Sequence, residues 1–343
     1  MAVPRRRRTR RSAWFLPGAL TVLVLTIASG LFLAPASSTT AAPQTIGNDV
    51  INRPYVDGAG DVIIIDRNTS AAVAMGLNQF DVWAKNTNAF RVLVVNPANE
   101  ITYVSEEFTP VVGFNSFFPA ALAMVQPGDY LALYFPGPGS IAYSAPAGTS
   151  RYSSIPWGLP SSGQTVSGGA NSPRTYSLKA YGTCYAVCYV NEISGSDSND
   201  GLSPASPLET IQEGVDRVMD GGEVIVAPGV YYENVGIDHP LTLTGPNAGI
   251  AGHAPRGPEA TIDGDFSGDT VHIHYTDGVT VDGFRIINGD SDNVNAHEAA
   301  NVSIINNVIR DAYEDAVDFE LIDGGTIGGN LITGTGYNSV YVS

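Results

Sequence analysis

The clearest alternation of apolar and polar positions lies at the C-terminal end of the chain, and it repeats. Val271, Val294, Val317 and Val340 recur every 23 residues, and Ile286, Ile309 and Ile332 keep the same interval. Between them run Thr280, Ser303 and Thr326, flanked by Val279/Val281, Val302/Ile304 and Gly325/Ile327. Each unit thus holds three short segments of period two, separated by Gly, Asn and Asp. Period two puts alternate side chains on opposite faces of a strand. A unit this small cannot bury an apolar face alone, but stacked copies can. Three strands per unit predict a right-handed parallel β-helix, with one strand per coil in each of three sheets. Thr242, Thr261 and Thr280, 19 residues apart, extend the second frame backwards through shorter coils. Asn307 and Asn330 fall in the turn after that frame and predict side-chain amide ladders between coils.

Upstream, residues 48–182 predict an antiparallel β-sandwich of jelly-roll type. Val62 to Ile65, Phe80 to Trp83, Phe90 to Val95, Ile101 to Val104, Tyr130 to Phe135 and Tyr176 to Ala180 have strand length and composition. Pro127-Gly128-Asp129 and Pro136-Gly137-Pro138-Gly139 supply turns. Tyr130, Tyr134 and Phe135 alternate within one strand and suit a core; Tyr143 and Trp157, near loops, are the better sugar platforms. Cys184 and Cys188 in the 183–188 segment predict a disulfide at a hinge, provided the chain turns between them. The fold class is therefore all-β, a sandwich followed by a short β-helix.

At the start of the repeat region stand Tyr189-Val190-Asn191, Gly195-Ser196-Asp197-Ser198-Asn199-Asp200-Gly201, Thr210-Ile211-Gln212, Gly221-Gly222-Glu223-Val224-Ile225-Val226-Ala227-Pro228-Gly229-Val230-Tyr231 and Glu233. This stretch resembles the opening of pectin-lyase-like right-handed β-helix proteins, a likeness covering Tyr189 to Ser343. The resemblance implies fold rather than chemistry, because that superfamily holds lyases, hydrolases, epimerases and non-catalytic surface proteins. Pro207 to Met219 has a helical stripe, Ile211, Val215 and Val218, that would cap the first coil. No equivalent cap follows Val340-Tyr341-Val342, so a C-terminal continuation or a docking partner is expected there.

Residues 1–42 join an arginine cluster, the apolar run Trp14 to Leu33 and small residues around Ala36 and Ala42. This is the layout of a secretory signal peptide, with a single-pass anchor facing outside as the alternative. The protein is thus expected to be secreted, touching a membrane only through an uncleaved anchor. The formal charge is −17; without the six arginines of the first eleven residues, 11 basic residues face 34 acidic ones, a net of −23. Such a surface excludes nucleic acid as a partner.

Candidate chemistry follows from the valine column. If Val271, Val294 and Val317 point inward, then His272, Asn295, Asp318 and Tyr341 form one outward column, and His274, His297, Glu320 and Ser343 a second. Asp269, Asp292, Asp315 and Asn338 form a third, at the preceding turn. Asp318 and Glu320 suit the paired carboxylates of glycoside hydrolysis, with His297 in proton transfer. His272, His274, Asn295 and Arg285 are the expected substrate contacts. Stacked Asp292 and Asp315 would repel unless a cation lay between them, which predicts a Ca²⁺ site. Ca²⁺ would also serve β-elimination on a uronate, although Arg285 and Arg310 belong to the neighbouring frame. Two function classes follow: an enzyme, lyase or hydrolase, acting on acidic polysaccharide, and a non-catalytic carbohydrate-binding or adhesin-like surface protein.

Overall fold

The computed structural model describes residues 44–153 and 158–343; the leader at 1–42 and Trp157 lie outside the described residues. Two large antiparallel sheets, with a two-stranded one of Tyr143–Ser144 and Thr175–Tyr176, form the first half. One contains Thr45–Gly47, Leu178–Thr183, Met75–Ala84, Gly113–Phe117 and Ala123–Val125; the other contains Ala170–Ser172, Ser150–Ser153, Val62–Asp66, Tyr130–Phe135, Arg91–Val95 and Ile101–Val104. Alternate residues from both sheets, among them Val62, Ile64, Leu77, Phe80, Val92, Leu133 and Phe135, fill the layer between them. The intervening residues Ile63, Ile65, Leu93 and Tyr134 are buried as well, in a smaller core that includes Val166. Burial on both faces explains why these strands read as continuous apolar runs rather than as alternations.

The second half winds through three parallel sheets. The first runs Val187–Val190, Gly222–Val226, Leu241–Thr244, Thr280–Asp282, Ala300–Ile305 and Asp323–Gly328. Gly229–Tyr232, Ala260–Asp263, Arg285–Ile287, Val308–Ala312 and Leu331–Thr335 make the second, and Val235–Ile237, Val271–His274, Val294–His297, Val317–Glu320 and Tyr341–Val342 the third. The 23-residue register is the pairing register: Val271 opposes Val294, Val294 opposes Val317, Thr280 opposes Ser303, and Ile286 opposes Ile309. Val271, Val294 and Val317 are fully buried, whereas Val340, on the outermost described coil, is 40% exposed. Thr261 departs from the expected frame. Thr242 pairs directly with Thr280, while Thr261 belongs to the second sheet opposite Arg285. The 19-residue interval is half of one long coil that carries the loop between Thr244 and Ala260.

The cap differs in extent from its sequence pattern. The helix is Ile211–Arg217, with Thr210 as N-cap. Leu208 is held in extended pairing between Tyr189 and Asn191, and Asp197 accepts the amides of Glu209 and Thr210, so residues before Thr210 cannot be helical. Ile211, Val215 and Val218 enter the β-helix core. Gly214 is required at the crossing, since a Cβ there would stand 2.8 Å from Val224 and 2.9 Å from Val190. Glu233 binds the amides of Ile211 (2.8 Å) and Gln212 (2.9 Å), which gives that residue of the opening motif its structural task. Cys184 and Cys188 are disulfide-bonded, with Cα atoms 5.1 Å apart. Both are buried within the β-helix core, and the first strand starts at Val187, so the bridge belongs to the cap rather than to a free hinge. The two halves touch here: Leu202 packs on both cores, and Arg217 donates to Thr183 Oγ1 at 3.1 Å.

Four turn positions per coil take left-handed backbone, and they too repeat in register. Gly278, Asn301 and Gly324 form one column; Gly283, Asn306 and Gly329 a second; Asn288, Asp311 and Gly334 a third. These are the residue types that tolerate positive φ. The fourth column is Tyr275 (φ 54°), Glu298 (φ 48°) and Leu321 (φ 55°).

Candidate active site on the third sheet

Strands of the third sheet alternate buried and solvent-facing residues, so the expected columns exist. His272, Asn295 and Asp318 are aligned coil on coil, as are His274, His297 and Glu320. Adjacent coils lie about 4.8 Å apart, and i, i+2 positions about 6.6 Å along the strand. His297 Nδ1 is 3.2 Å from Glu320 Oε2, and its Nε2 is 3.6 Å from Glu298 Oε1. The rings of His272 and His274 are 4.9 Å apart. Arg285 is not brought to this face: it sits on the second sheet, paired between Thr261 and Val308.

The aspartate column forms a ladder. Asp269 Oδ1 accepts the Asp292 amide (3.1 Å), Asp292 Oδ1 the Asp315 amide (2.9 Å), and Asp315 Oδ1 the Asn338 amide (2.5 Å). Each second oxygen looks to the residue three positions on. Asp269 Oδ2 meets His272 Nδ1 at 3.0 Å, and Asp292 Oδ2 accepts from Asn295 Nδ2 at 3.1 Å. Asp292 is buried with both oxygens hydrogen-bonded to protein donors, yet the charges of Asp269 and Asp315 still repel its own. Among the described residues no group of three or more His, Cys, Asp or Glu side chains is placed to hold a metal ion.

The third rung breaks the pattern. The residue three on from Asp315 is Asp318, a carboxylate where the earlier rungs have a donor. Asp318 Oδ1 is shielded from solvent and has no hydrogen-bond partner. Burial first, then the charges of Asp292, Asp315, Glu320 and Asp269, push the Asp318 carboxyl up to about 6. Burial also raises Asp292, against the bonds from Asn295 and the Asp315 amide. Burial acts the same way on Asp269, but the His272 hydrogen bond and the Asp292 amide outweigh it and hold that carboxyl below its ordinary value.

This has a measurable consequence for stability. An exposed aspartate ionises near 3.8 and Asp318 in the fold at about 6. Between those values the native state holds the extra proton, so Asp318 lowers stability as pH rises through that window and by a constant amount above it. Asp318→Asn, which supplies Asp315 with the donor that Asn295 gives Asp292, is expected to raise Tm at pH 8 and leave it unchanged at pH 4. Thermal melts at the two pH values check this; an equal shift at both would contradict it.

Residues outside the expected set also belong here. Tyr275 follows His274 directly, is 68% exposed, and stands edge-on to His274 (5.6 Å) and to His297 (6.2 Å). Glu298 follows His297 in the same way. Extending the 23-residue register one step past the histidine column would have found both. In the sandwich, Tyr143 is not a free platform: Arg174 lies over its ring at 4.5 Å and Tyr176 packs beside it at 5.3 Å.

Strand register and cap make the C-terminal half a parallel β-helix of three sheets. Residues 193–341 match a family described as "Protein of unknown function (DUF1565)". No curated protein matches the chain. Similar solved structures include a GH136 lacto-N-biosidase from Eubacterium ramulus (15% identity, 43% of this chain and 34% of that one, TM-score 0.34). Pectate lyase Pel9A gives 15% identity over 43% of this chain and 38% of that one, with a TM-score of 0.33. The catalytic domain of a GH87 α-1,3-glucanase in complex with nigerose gives 9% identity, 86% and 59% coverage, and a TM-score of 0.25. The chain thus spans little more than a third of the length of the first two, and the fold assignment rests on the strand register above.

Proposed function

We propose that this protein hydrolyses a polysaccharide on the outer face of the third sheet, with Asp318 as general acid and Glu320 as general base. The observation that carries the reading is a pair of carboxyls on one outward strand face: Asp318, whose shielded Oδ1 has no hydrogen-bond partner and whose proton is held to about pH 6, and Glu320, which rests against His297. In the reaction Asp318 gives its proton to the glycosidic oxygen, the bond from that oxygen to the anomeric carbon breaks, and Glu320 takes a proton from the water that attacks that carbon. The pair then exchanges protons with solvent. Their backbone positions lie about 6.6 Å apart along the strand, a spacing that suits a water between the two carboxyls. His297 positions Glu320 rather than acting alone.

Hydrolysis is favoured over β-elimination because elimination needs a cation to neutralise the uronate and a strong base near it. Beyond Arg256, Arg285 and Arg310 are the only Lys or Arg residues, and both occupy the second sheet. An acidic face also suits an uncharged sugar at the cleaved bond better than the acidic polysaccharide expected from the residue columns. Export from the cell is part of this proposal and rests on the leader at residues 1–42. The test is incubation of the protein with xylan, β-glucan and polygalacturonate, with and without Ca²⁺, read as new reducing ends and as unsaturated products. Reducing ends without unsaturation are expected. Unsaturated products would replace hydrolysis by elimination, and retention without cleavage would leave a binding protein.

A further inference from the structure

Among the repeating turn columns, one accepts a cost that the other three avoid. Three of the four left-handed columns are filled by Gly, Asn and Asp, and only the column bordering the histidine and acid face carries Tyr, Glu and Leu. A side chain with a substituted Cβ meets its own carbonyl in that conformation, and bulky residues adopt it only where the surroundings impose it. Nothing in coil geometry demands a large residue here, since glycine or asparagine serves the same purpose three, eight and thirteen residues further on. Tyr275 gains little from burial, because 68% of it remains exposed. Its ring is nevertheless held edge-on to His274 and His297 while most of its surface stays open to solvent.

We propose that Tyr275 is a sugar-stacking subsite: an aromatic platform that receives one pyranose ring of a glycan lying across His274, His297 and Glu320. A pyranose presents axial C–H bonds to an aromatic face, while its edge hydroxyls meet polar groups. Glu298, the next member of the column, stands beside His297 and supplies an acceptor at that edge. Left-handed backbone at Tyr275 ends the strand just after His274, and the ring lies between that histidine and His297 of the neighbouring coil. The proposal deepens the polysaccharide reading of the same face, but it concerns binding and does not depend on cleavage.

The experiment compares the parent protein with Tyr275→Asn and Tyr275→Phe by affinity electrophoresis in gels containing xylan, β-glucan or polygalacturonate, alongside thermal melts. Asparagine keeps the left-handed turn and removes the ring. It should leave Tm unchanged or raised while weakening retention about tenfold; phenylalanine should retain binding within about threefold of the parent. Retention unchanged in Tyr275→Asn, or a parent retained by none of the three polymers, would overturn the subsite. Retention that follows the expected order in a protein that cleaves nothing would sink the hydrolase reading and leave the subsite standing.

Discussion

Asp318→Asn is expected to slow hydrolysis of a polymer by about 10²–10⁴-fold with KM little changed, because the lost group acts on the leaving oxygen rather than on binding. An unactivated sugar leaving group cannot depart as an alkoxide at useful rates. Protonation by a carboxyl that ionises at about 6 is well matched to neutral conditions. The loss should shrink for an aryl glycoside whose phenol leaves without a proton. Glu320→Gln should impair both substrates, since water attack is needed in each case. The alkaline limb of the parent pH–rate profile, set by ionisation of Asp318, should disappear in Asp318→Asn. Steady-state kinetics on polymer and aryl glycoside from pH 4 to 8 check all three. A polymer rate in Asp318→Asn within threefold of the parent would remove Asp318 from the chemistry.

The largest structural effect is expected at Asn307. Its side chain is fully buried in the turn between the first and second sheets, accepts from the Phe284 amide (2.8 Å) and donates to the Val281 carbonyl (2.9 Å). Asn307→Leu keeps the volume but strands both backbone groups in the core. Each unsatisfied group costs about 1–3 kcal/mol, so the substitution should destabilise the β-helix by about 2–6 kcal/mol. Asn330, which repeats the arrangement one coil on but is only half-buried, should cost less when replaced. Denaturant melts of Asn307→Leu and Asn330→Leu check this ordering; equal costs would contradict it.

The same asparagines show how far a sequence can be read. Their 23-residue spacing placed them correctly, but the expected amide-to-amide ladder is instead a set of bridges to backbone. The Asn307 amide donates to Asn330 Oδ1, while the Asn330 side chain donates to the Ile304 carbonyl. Side-chain spacing says which residues stack and nothing about which backbone groups lie between them. The Ca²⁺ expectation for Asp292 and Asp315 likewise took no account of the backbone amides that their Oδ1 atoms accept. The inward valines and the outward His and acid columns were legible because strand alternation fixes both together. The Thr261 frame failed because a 19-residue interval carries no signal that it is half a coil. Tyr275 and Glu298 were missed because a left-handed turn carries no residue signature when it is not Gly, Asn or Asp.

The most direct test of the account is a crystal structure of Asp318→Asn soaked with an oligosaccharide of the polymer the parent protein cleaves or retains. The account predicts sugar rings across the third-sheet face, one stacked on Tyr275, with a glycosidic oxygen within hydrogen-bond distance of residue 318. Sugar bound only on the sandwich or on another sheet, with this face bare, would contradict it.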